Sequence, residues 1–438
     1  MVVMGIIIPR SEARLLEGRG WFLVFGRRKT GKTFMMRKMI RFDHYFFVMK
    51  GGVAVDQDGG QLTYPLLRER LAGLLREPVT VVIDEFQRLP DDFPDYLHFL
   101  SPESRAKLIL VGSSLSVARD LLSKRSPLLG LVRPVRVGLI RPLDVVRGVV
   151  NLLKPADLLR AAPYLRDPWI LRFLDPDFSL DALIDVIRYN VPALVGESFR
   201  DEEREFTERY ELVLRSLSLG NSTPGEVASY ISGLTGGGLK GQDVKSYLAN
   251  LSLMGLVERI PILGRKRYLY RVESPLVDLF YYLDSKTGYH EVDVPPGELV
   301  RLARVKEGLY YERFVVDLLA EVMGARVAKG LDPEVDGFLL RGGRVVAAVE
   351  VKLGKITREE IRRFADKVPS ECEKIVVARE PPAVEGVLAL SPEDPSRHRA
   401  SRATPSTPSS SDLRWSSGAS TRPRTRSERA CVRGRRSL

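Results

Sequence analysis

The stretch FGRRKTGKT, Phe25 to Thr33, follows the apolar run WFLV and precedes FMMRKMI. From Gly26 to Thr33 it satisfies G-x-x-x-x-G-K-[ST] in the setting that pattern requires, between a strand and a helix. Such a loop turns successive backbone N–H groups inward. The helix that follows adds the partial positive charge of its N-terminus, so the loop attracts phosphate oxygens. Gly26 and Gly31 permit the backbone path, and Arg27, Arg28, Lys29 and Thr30 complete the cradle. Lys32 is expected to reach the β and γ phosphates of a nucleotide, and the Thr33 hydroxyl to ligate Mg2+. The alternative is a glycine turn leading into a basic helix.

A magnesium nucleotide also needs an acidic anchor from a neighbouring strand, and TVVIDEF, Thr80 to Phe86, supplies one. Asp84 ends a β-type run, at the carboxyl end of a buried strand, where open α/β sheets keep their ligand crevices. Asp84 would hold the metal, largely through water. Glu85 would polarise the attacking water, since hydrolysis asks little beyond positioning and charge. A third strand, KLILVGSS, ends in Ser113 and Ser114, which would sense the γ-phosphate; a plain helix cap is the alternative. No N-K-x-D guanine signature occurs, so ATP is expected.

The 438 residues allow two to four domains, and 44% hydrophobic content suffices for packed cores. Cys372 and Cys431 form no metal spacing and no disulfide framework. The sequence holds no apolar run of about 18 residues, and MVVMGIIIPRSE is too short for a signal peptide, so a cytoplasmic protein without membrane partners is expected. Few Asn and Gln beside 28% charged residues lean towards a thermophile. The net charge of +12 resembles a nucleic-acid footprint. Residues 396–438, however, hold eleven Arg against Asp412 and Glu428, and so carry +9 of it. This Ser, Pro and Arg tail (395–438) has too few aliphatics to fold. It reads as a disordered nucleic-acid arm or as a reading-frame accident at a gene end.

The chain from 141 to 205 reads as a helical lid behind a nucleotide-binding core (1–140). Residues 206–290 then give helix, turn, helix and a strand pair around Leu263-Gly264-Arg265, the layout of a winged helix. In its second helix Val244, Leu248, Leu251 and Leu253 would face the core. Gln242, Lys245, Tyr247 and Asn250 would lie on the other side, open to a DNA groove or to packing against the chain's own core.

Residues 296–394 open with a helix from Glu307 to Met323, followed by strands, a hairpin and a further helix: a small α/β sandwich. In VEVKL, Glu350 and Lys352 share one strand face. A three-residue loop or glycine bulge centred on Gly343 would set Asp336 opposite Glu350. A two-residue turn at Gly342-Gly343 would put the two carboxylates on opposite faces. Facing carboxylates would bind a divalent metal, Lys352 would orient a water or stabilise charge on phosphate, and Glu312 would add a carboxylate. The alternative is an ordinary exposed charged face.

On these motifs the chain resembles archaeal AAA-type ATPases of the STAND-like lineage. In that family an ATPase core, lid and winged helix precede a restriction-endonuclease-like domain of the PD-(D/E)xK type. FGRRKTGKT, VVIDEF, LVGSS and SPLLG carry the first half of the resemblance, and DPEVDG with VEVKLGK the second. It spans about Pro9 to Asp394. It implies ATP and Mg2+ at Gly26, Gly31, Lys32, Thr33, Asp84 and Glu85, and a nuclease-type centre at Asp336, Glu350 and Lys352. DNA, a homo-oligomer or a partner protein are expected as associates. The sequence departs at SPLLGL, where Leu131 stands in place of an arginine finger that Arg125, Arg133 or Arg136 would replace. It departs again at Ala161-Ala162-Pro163, in place of G-x-P. Two functions follow: an ATPase coupled to DNA binding or cleavage, or an ATP-dependent regulatory switch with a non-catalytic nuclease-like domain.

Overall fold

The computed structural model describes residues 7–113, 126–173, 179–199 and 204–392, and the chain through Asp394 forms one compact unit. Ser114, Arg125 and the tail lie outside the described residues.

The first sheet is built from β1 (Trp21–Phe25), β2 (His44–Val48), β3 (Ala54–Asp56), β4 (Gln61–Leu62), β5 (Thr80–Asp84), β6 (Lys107–Gly112) and β7 (Val132–Arg136). Its order is β4-β3-β2-β5-β6-β1-β7. Strands β2, β5, β6, β1 and β7 run parallel, and β3 and β4 add an antiparallel edge. Parallel strands are covered on both faces, which is why β1, β5 and β6 read as continuous apolar runs. Phe22, Val24, Val82 and Ile109 pack on one face with Met35 and Met36 of α1 (Lys32–Met39). Leu23, Ile83 and Leu110 pack on the other with Leu67 and Leu71 of α2 (Tyr64–Leu74) and Phe93 and Leu97 of α3 (Phe93–Leu100). Each such side chain contributes ~1.5–3 kcal/mol relative to exposure. The order corrects one expectation: β5, which carries Asp84, does not neighbour β1. Strand β6 lies between them, so the end of the serine strand sits centrally between the loop and the acid.

Helices α4 (Pro142–Val149), α5 (Pro155–Leu165), α6 (Leu180–Ser198) and α7 (Arg204–Ser218) follow. Next come α8 (Pro224–Thr235), α9 (Gly241–Leu253), the hairpin β8 (Val257–Pro261) and β9 (Tyr268–Val272), and α10 (Pro275–Thr287). Thr223 and Glu226 close a capping box at the start of α8, satisfying N–H groups that the first turn leaves unpaired. One apolar cluster runs through this region, from Tyr164 to Tyr310. Val244, Leu248 and Leu251 of α9 face it as expected. Three residues of α9 do not lie where the helical period put them. Tyr247 is buried, its hydroxyl accepting from Arg209 at 2.9 Å, while Leu253 is 51% exposed. The ring of Tyr210 on α7 gives Tyr247 an apolar seat, and Asn250 turns inward to donate to the Tyr210 hydroxyl at 2.8 Å.

Helix α11 runs from Pro296 to Val322 and starts well before Glu307. Its first half, with Leu299, Ala303 and Tyr310, packs into the preceding cluster. Its second half, with Tyr311, Val315 and Val316, covers one face of a second sheet. That sheet is β10 (Arg326–Ala328), β11 (Gly337–Arg341), β12 (Arg344–Val351), β13 (Glu373–Val377) and β14 (Leu388–Leu390), in chain order. Helix α12 (Arg358–Lys367) covers the other face through Ile361 and Phe364 against Phe338, Ala348 and Val376. Among the described residues, no helix is long and apolar enough to cross a membrane.

Candidate nucleotide site and C-terminal charged group

The loop Gly26–Thr33 lies at the carboxyl end of β1, beside the ends of β6 and β5. Gly26 comes so close to the next segment that a Cβ there would stand 2.0 Å from the Val137 carbonyl oxygen. Gly31 has φ +85°, a left-handed conformation that side chains rarely adopt. Lys32 is 5% exposed and donates to the carbonyl oxygens of Gly26 at 2.7 Å and Arg27 at 2.8 Å. Burial pushes its pKa down to about 8, against the pull of Glu85 and Asp84. A buried ammonium bonded, among the described residues, only to its own loop is held where anionic oxygens would find it.

Asp84 is 1% exposed. It accepts from the Tyr45 hydroxyl at 2.7 Å and the Glu85 N–H at 2.9 Å. Burial raises its pKa, and the neighbouring hydroxyls of Tyr45 and Thr33 oppose that rise. Thr33 and Asp84 offer oxygen donors of the kind a hard divalent cation takes.

Glu85 adopts a left-handed backbone, φ +58°, and is held through one carboxylate oxygen. Its Oε2 accepts from Gln87 at 2.8 Å and from Ser113 at 3.1 Å, and pairs with Arg88 at 3.1 Å. Arg88 in turn donates to the Val48 carbonyl at 2.8 Å. The fold thus brings Lys32, Thr33, Asp84, Glu85 and Ser113 together. Sequence reasoning passed over Tyr45, Gln87 and Arg88. The last two follow Glu85 directly and were open to notice. Tyr45 needs the β2–β5 register, in which Phe47 pairs with Asp84, placing Tyr45 two residues back on the same face.

The side chain of Arg27 does not enter the cradle. It is 4% exposed and pairs at 2.6 Å with fully buried Asp167, which also accepts from Ser274, the N-cap of α10. Arg28 lies 3.5 Å from Glu197. Of the substitutes for an arginine finger, Arg133 lies over the Phe22 ring and Arg136 pairs with Glu273 at 3.6 Å. Both are engaged within the chain. Ala161 and Ala162 are buried in a cluster with Ile8, Val145 and Phe314.

In the C-terminal sheet, the β11–β12 turn is the two-residue Gly342-Gly343, both at positive φ. This is the loop expected to separate the carboxylates. A bulge between Leu339 and Leu340 shifts the register by one, so that Gly337 pairs with Val349. Carried one residue further, that register sets Asp336 opposite Glu350; a bulge away from the turn restores the facing arrangement. Lys352 contacts Glu350 at 3.0 Å, while Asp336 accepts from the Val351 N–H at 2.7 Å. Burial, then Asp336, raises the pKa of Glu350. Glu312 on α11 is raised to about 7 by burial and then by Asp336, with Glu350 adding to it. Lys329, which sequence reasoning missed, sits close enough to feel Asp336 and Glu312, and burial lowers its pKa. Among the described residues, no group of three or more His, Cys, Asp and Glu is placed to hold a metal ion.

Glu312 gives a pH prediction. Because its folded-state pKa is raised, it favours the fold below about 4.5, and that contribution is lost as pH rises through about 7. Glu312→Gln should therefore flatten the fall in melting temperature across this window. A melting curve series that falls as steeply as wild type would show that Glu312 is not the group responsible.

The fold and site together define a mixed α/β protein with a parallel-sheet core and a P-loop geometry. No family model and no curated protein matches the sequence. Among solved structures it is similar to the Walker-type ATPase of Pyrococcus abyssi, with 18% identity over 63% of this chain and 96% of that chain, TM-score 0.42. It is similar also to the Aeropyrum pernix ORC1 protein in complex with DNA, with 17% identity, 65% and 95% coverage and TM-score 0.30. A third is Cdc6p from Pyrobaculum aerophilum, with 13% identity, 68% and 96% coverage and TM-score 0.26. Superpositions this loose carry no argument, and the functional reading rests on the site itself.

Proposed function

We propose that the protein is an ATP-binding and ATP-hydrolysing P-loop ATPase whose C-terminal half associates with DNA. The observation that carries this reading is the convergence of Lys32, Thr33 and Asp84 with the Glu85–Ser113 pair at the ends of three parallel strands. In this reading the loop N–H groups and Lys32 bind the β and γ phosphates, exchanging the carbonyl partners of Lys32 for phosphate oxygens. Thr33 and Asp84 hold Mg2+, which supplies charge neutralisation at those phosphates. Glu85, fixed through Oε2, turns its other oxygen to an attacking water, and Ser113 orients both the carboxylate and the γ-phosphate. Measuring phosphate release from ATP by the purified chain tests it; a wild-type rate no faster than that of Lys32→Ala would remove the reading.

The role of Asp336, Glu350 and Lys352 has two readings. Their shared face and mutual charge effects support a centre acting on phosphodiesters, with Glu312 and Lys329 at its border. The backbone bond that occupies one Asp336 oxygen, with no three-ligand group among the described residues, is what the alternative reading stands on, a regulatory domain that binds without cutting.

For the tail, deletion of residues 396–438 should leave melting temperature and ATP hydrolysis unchanged, because few apolar groups there can dock. Any DNA affinity lost on deletion should depend steeply on salt, since arginines on phosphates release counterions. A marked drop in melting temperature on truncation would contradict this.

A further inference from the structure

The turn joining β8 and β9 reads Leu263-Gly264-Arg265-Lys266-Arg267, and its three consecutive cations are all exposed. Arg259, on β8, is exposed as well and lies over the ring of Tyr268, 4.3 Å from its centroid. Among the described residues, none of these four cations forms an ion pair. Glu258, the acid of the same hairpin, is spent on Arg271 at 2.7 Å. Apart from the tail the chain carries only about +3 over 395 residues, so three uncompensated charges in one turn stand out from a nearly neutral background. Like charges crowded in this way repel one another, and a polyanion relieves that repulsion.

The position of the turn is fixed by the second sheet. Leu263 N–H donates to the Lys329 carbonyl at 2.8 Å, and Lys329 N–H donates to the Pro261 carbonyl at 3.0 Å. Ile262 thereby bridges Lys329 in parallel, and Leu263 packs into the C-terminal core. Lys329 directly follows β10, and its ammonium senses Asp336 and Glu312. Arg265, Lys266 and Arg267 follow Leu263 by two, three and four residues, so they lie within about 14 Å of that anchor.

We propose that this basic turn, with the Arg259–Tyr268 pair, is a docking surface for the phosphate backbone of a nucleic acid and guides the strand past Asp336, Glu350 and Lys352. The turn supplies charge without base readout, and the exposed aromatic ring offers a stacking face for an unpaired base. The inference deepens the reading of the C-terminal group as facing phosphodiesters and rests on it for the strand's destination.

The test is a fluorescence-anisotropy titration of the full chain and of its triple variant Arg265→Ala, Lys266→Ala, Arg267→Ala. The probes are a labelled DNA duplex, a single DNA strand and an RNA duplex, each across 50–200 mM KCl, about the range in which phosphate contacts dominate. The tail is present in both proteins, so its contribution cancels. Each lost phosphate contact should reduce the slope of log K against log salt by about 0.9, giving a fall of roughly 2–3 and at least about a tenfold loss of affinity at 100 mM. Melting temperature and ATP hydrolysis should be unchanged. A loss shared by DNA and RNA, or confined to one, supports the surface and names the source of the backbone. Equal slopes and affinities for the two proteins, or no binding by wild type, overturn it. Failure of the catalytic reading would look different: binding lost in the variant as expected, with no cleavage by wild type.

Discussion

Lys32→Ala should bind ATP at least about a hundredfold more weakly than wild type, whereas Glu85→Gln should bind ATP normally and hydrolyse it at least about a hundredfold more slowly. Lys32 is the buried cation of the cradle, bonded to Gly26 and Arg27 and ready to exchange those carbonyls for phosphate oxygens. Its loss leaves anionic oxygens facing backbone N–H groups alone. Glu85 stands at the far end of the site. Its glutamine replacement preserves shape and the contacts with Ser113 and Gln87 while removing the charge that polarises water. Nucleotide binding and phosphate release measured on the same preparations separate the two roles. Full hydrolysis by Glu85→Gln would remove that residue from the mechanism, and unweakened binding by Lys32→Ala would place the nucleotide elsewhere.

A second large effect is expected in the C-terminal sheet if the chain cuts DNA. Glu350→Ala and Lys352→Ala should each abolish Mg2+- or Mn2+-dependent cleavage of single- or double-stranded DNA while sparing ATP hydrolysis. Asp336 raises the cost of ionising Glu350 unless a cation or proton is shared, so Glu350→Ala should also weaken metal binding. Lys352, 3.0 Å from Glu350, is the one cation among the described residues in direct contact with that carboxylate. A chain of the regulatory kind shows no metal-dependent cleavage in wild type with any DNA, with or without ATP. Cleavage that survives in both variants would assign the activity to another site or to a contaminant.

What could be read from the chain divides by the range of the interaction. The phosphate loop is local: glycine conformations, a lysine and a hydroxyl within eight residues, flanked by a strand and a helix, so Gly26 to Thr33 was legible at once. Asp84 and Ser113 were legible as strand ends. The order of strands was not, because which strand stands beside β1 depends on pairings some eighty residues apart, and β6 rather than β5 takes that place. Tyr45 was hidden for the same reason. The C-terminal group shows a subtler limit. The Gly342-Gly343 turn is visible in the sequence, yet the bulge that moves Asp336 to face Glu350 is a response of the folded sheet. Tyr247 lay on the polar side by periodicity alone; a tyrosine of another helix and Arg209 draw it inward. Helix α11 began eleven residues earlier than expected because its first half is buried by the preceding helices and not by the sheet it leads into.

The most direct measurement is a calorimetric titration of the wild-type chain with ATP, in the presence and absence of Mg2+, beside Lys32→Ala and Asp84→Asn. Expected is saturable binding of one ATP per chain that tightens with Mg2+. It should be lost in Lys32→Ala, and Asp84→Asn should bind ATP without the Mg2+ enhancement. Absence of saturable binding by the wild-type chain at millimolar ATP, or binding unchanged in both variants, would contradict a nucleotide site at Gly26–Thr33.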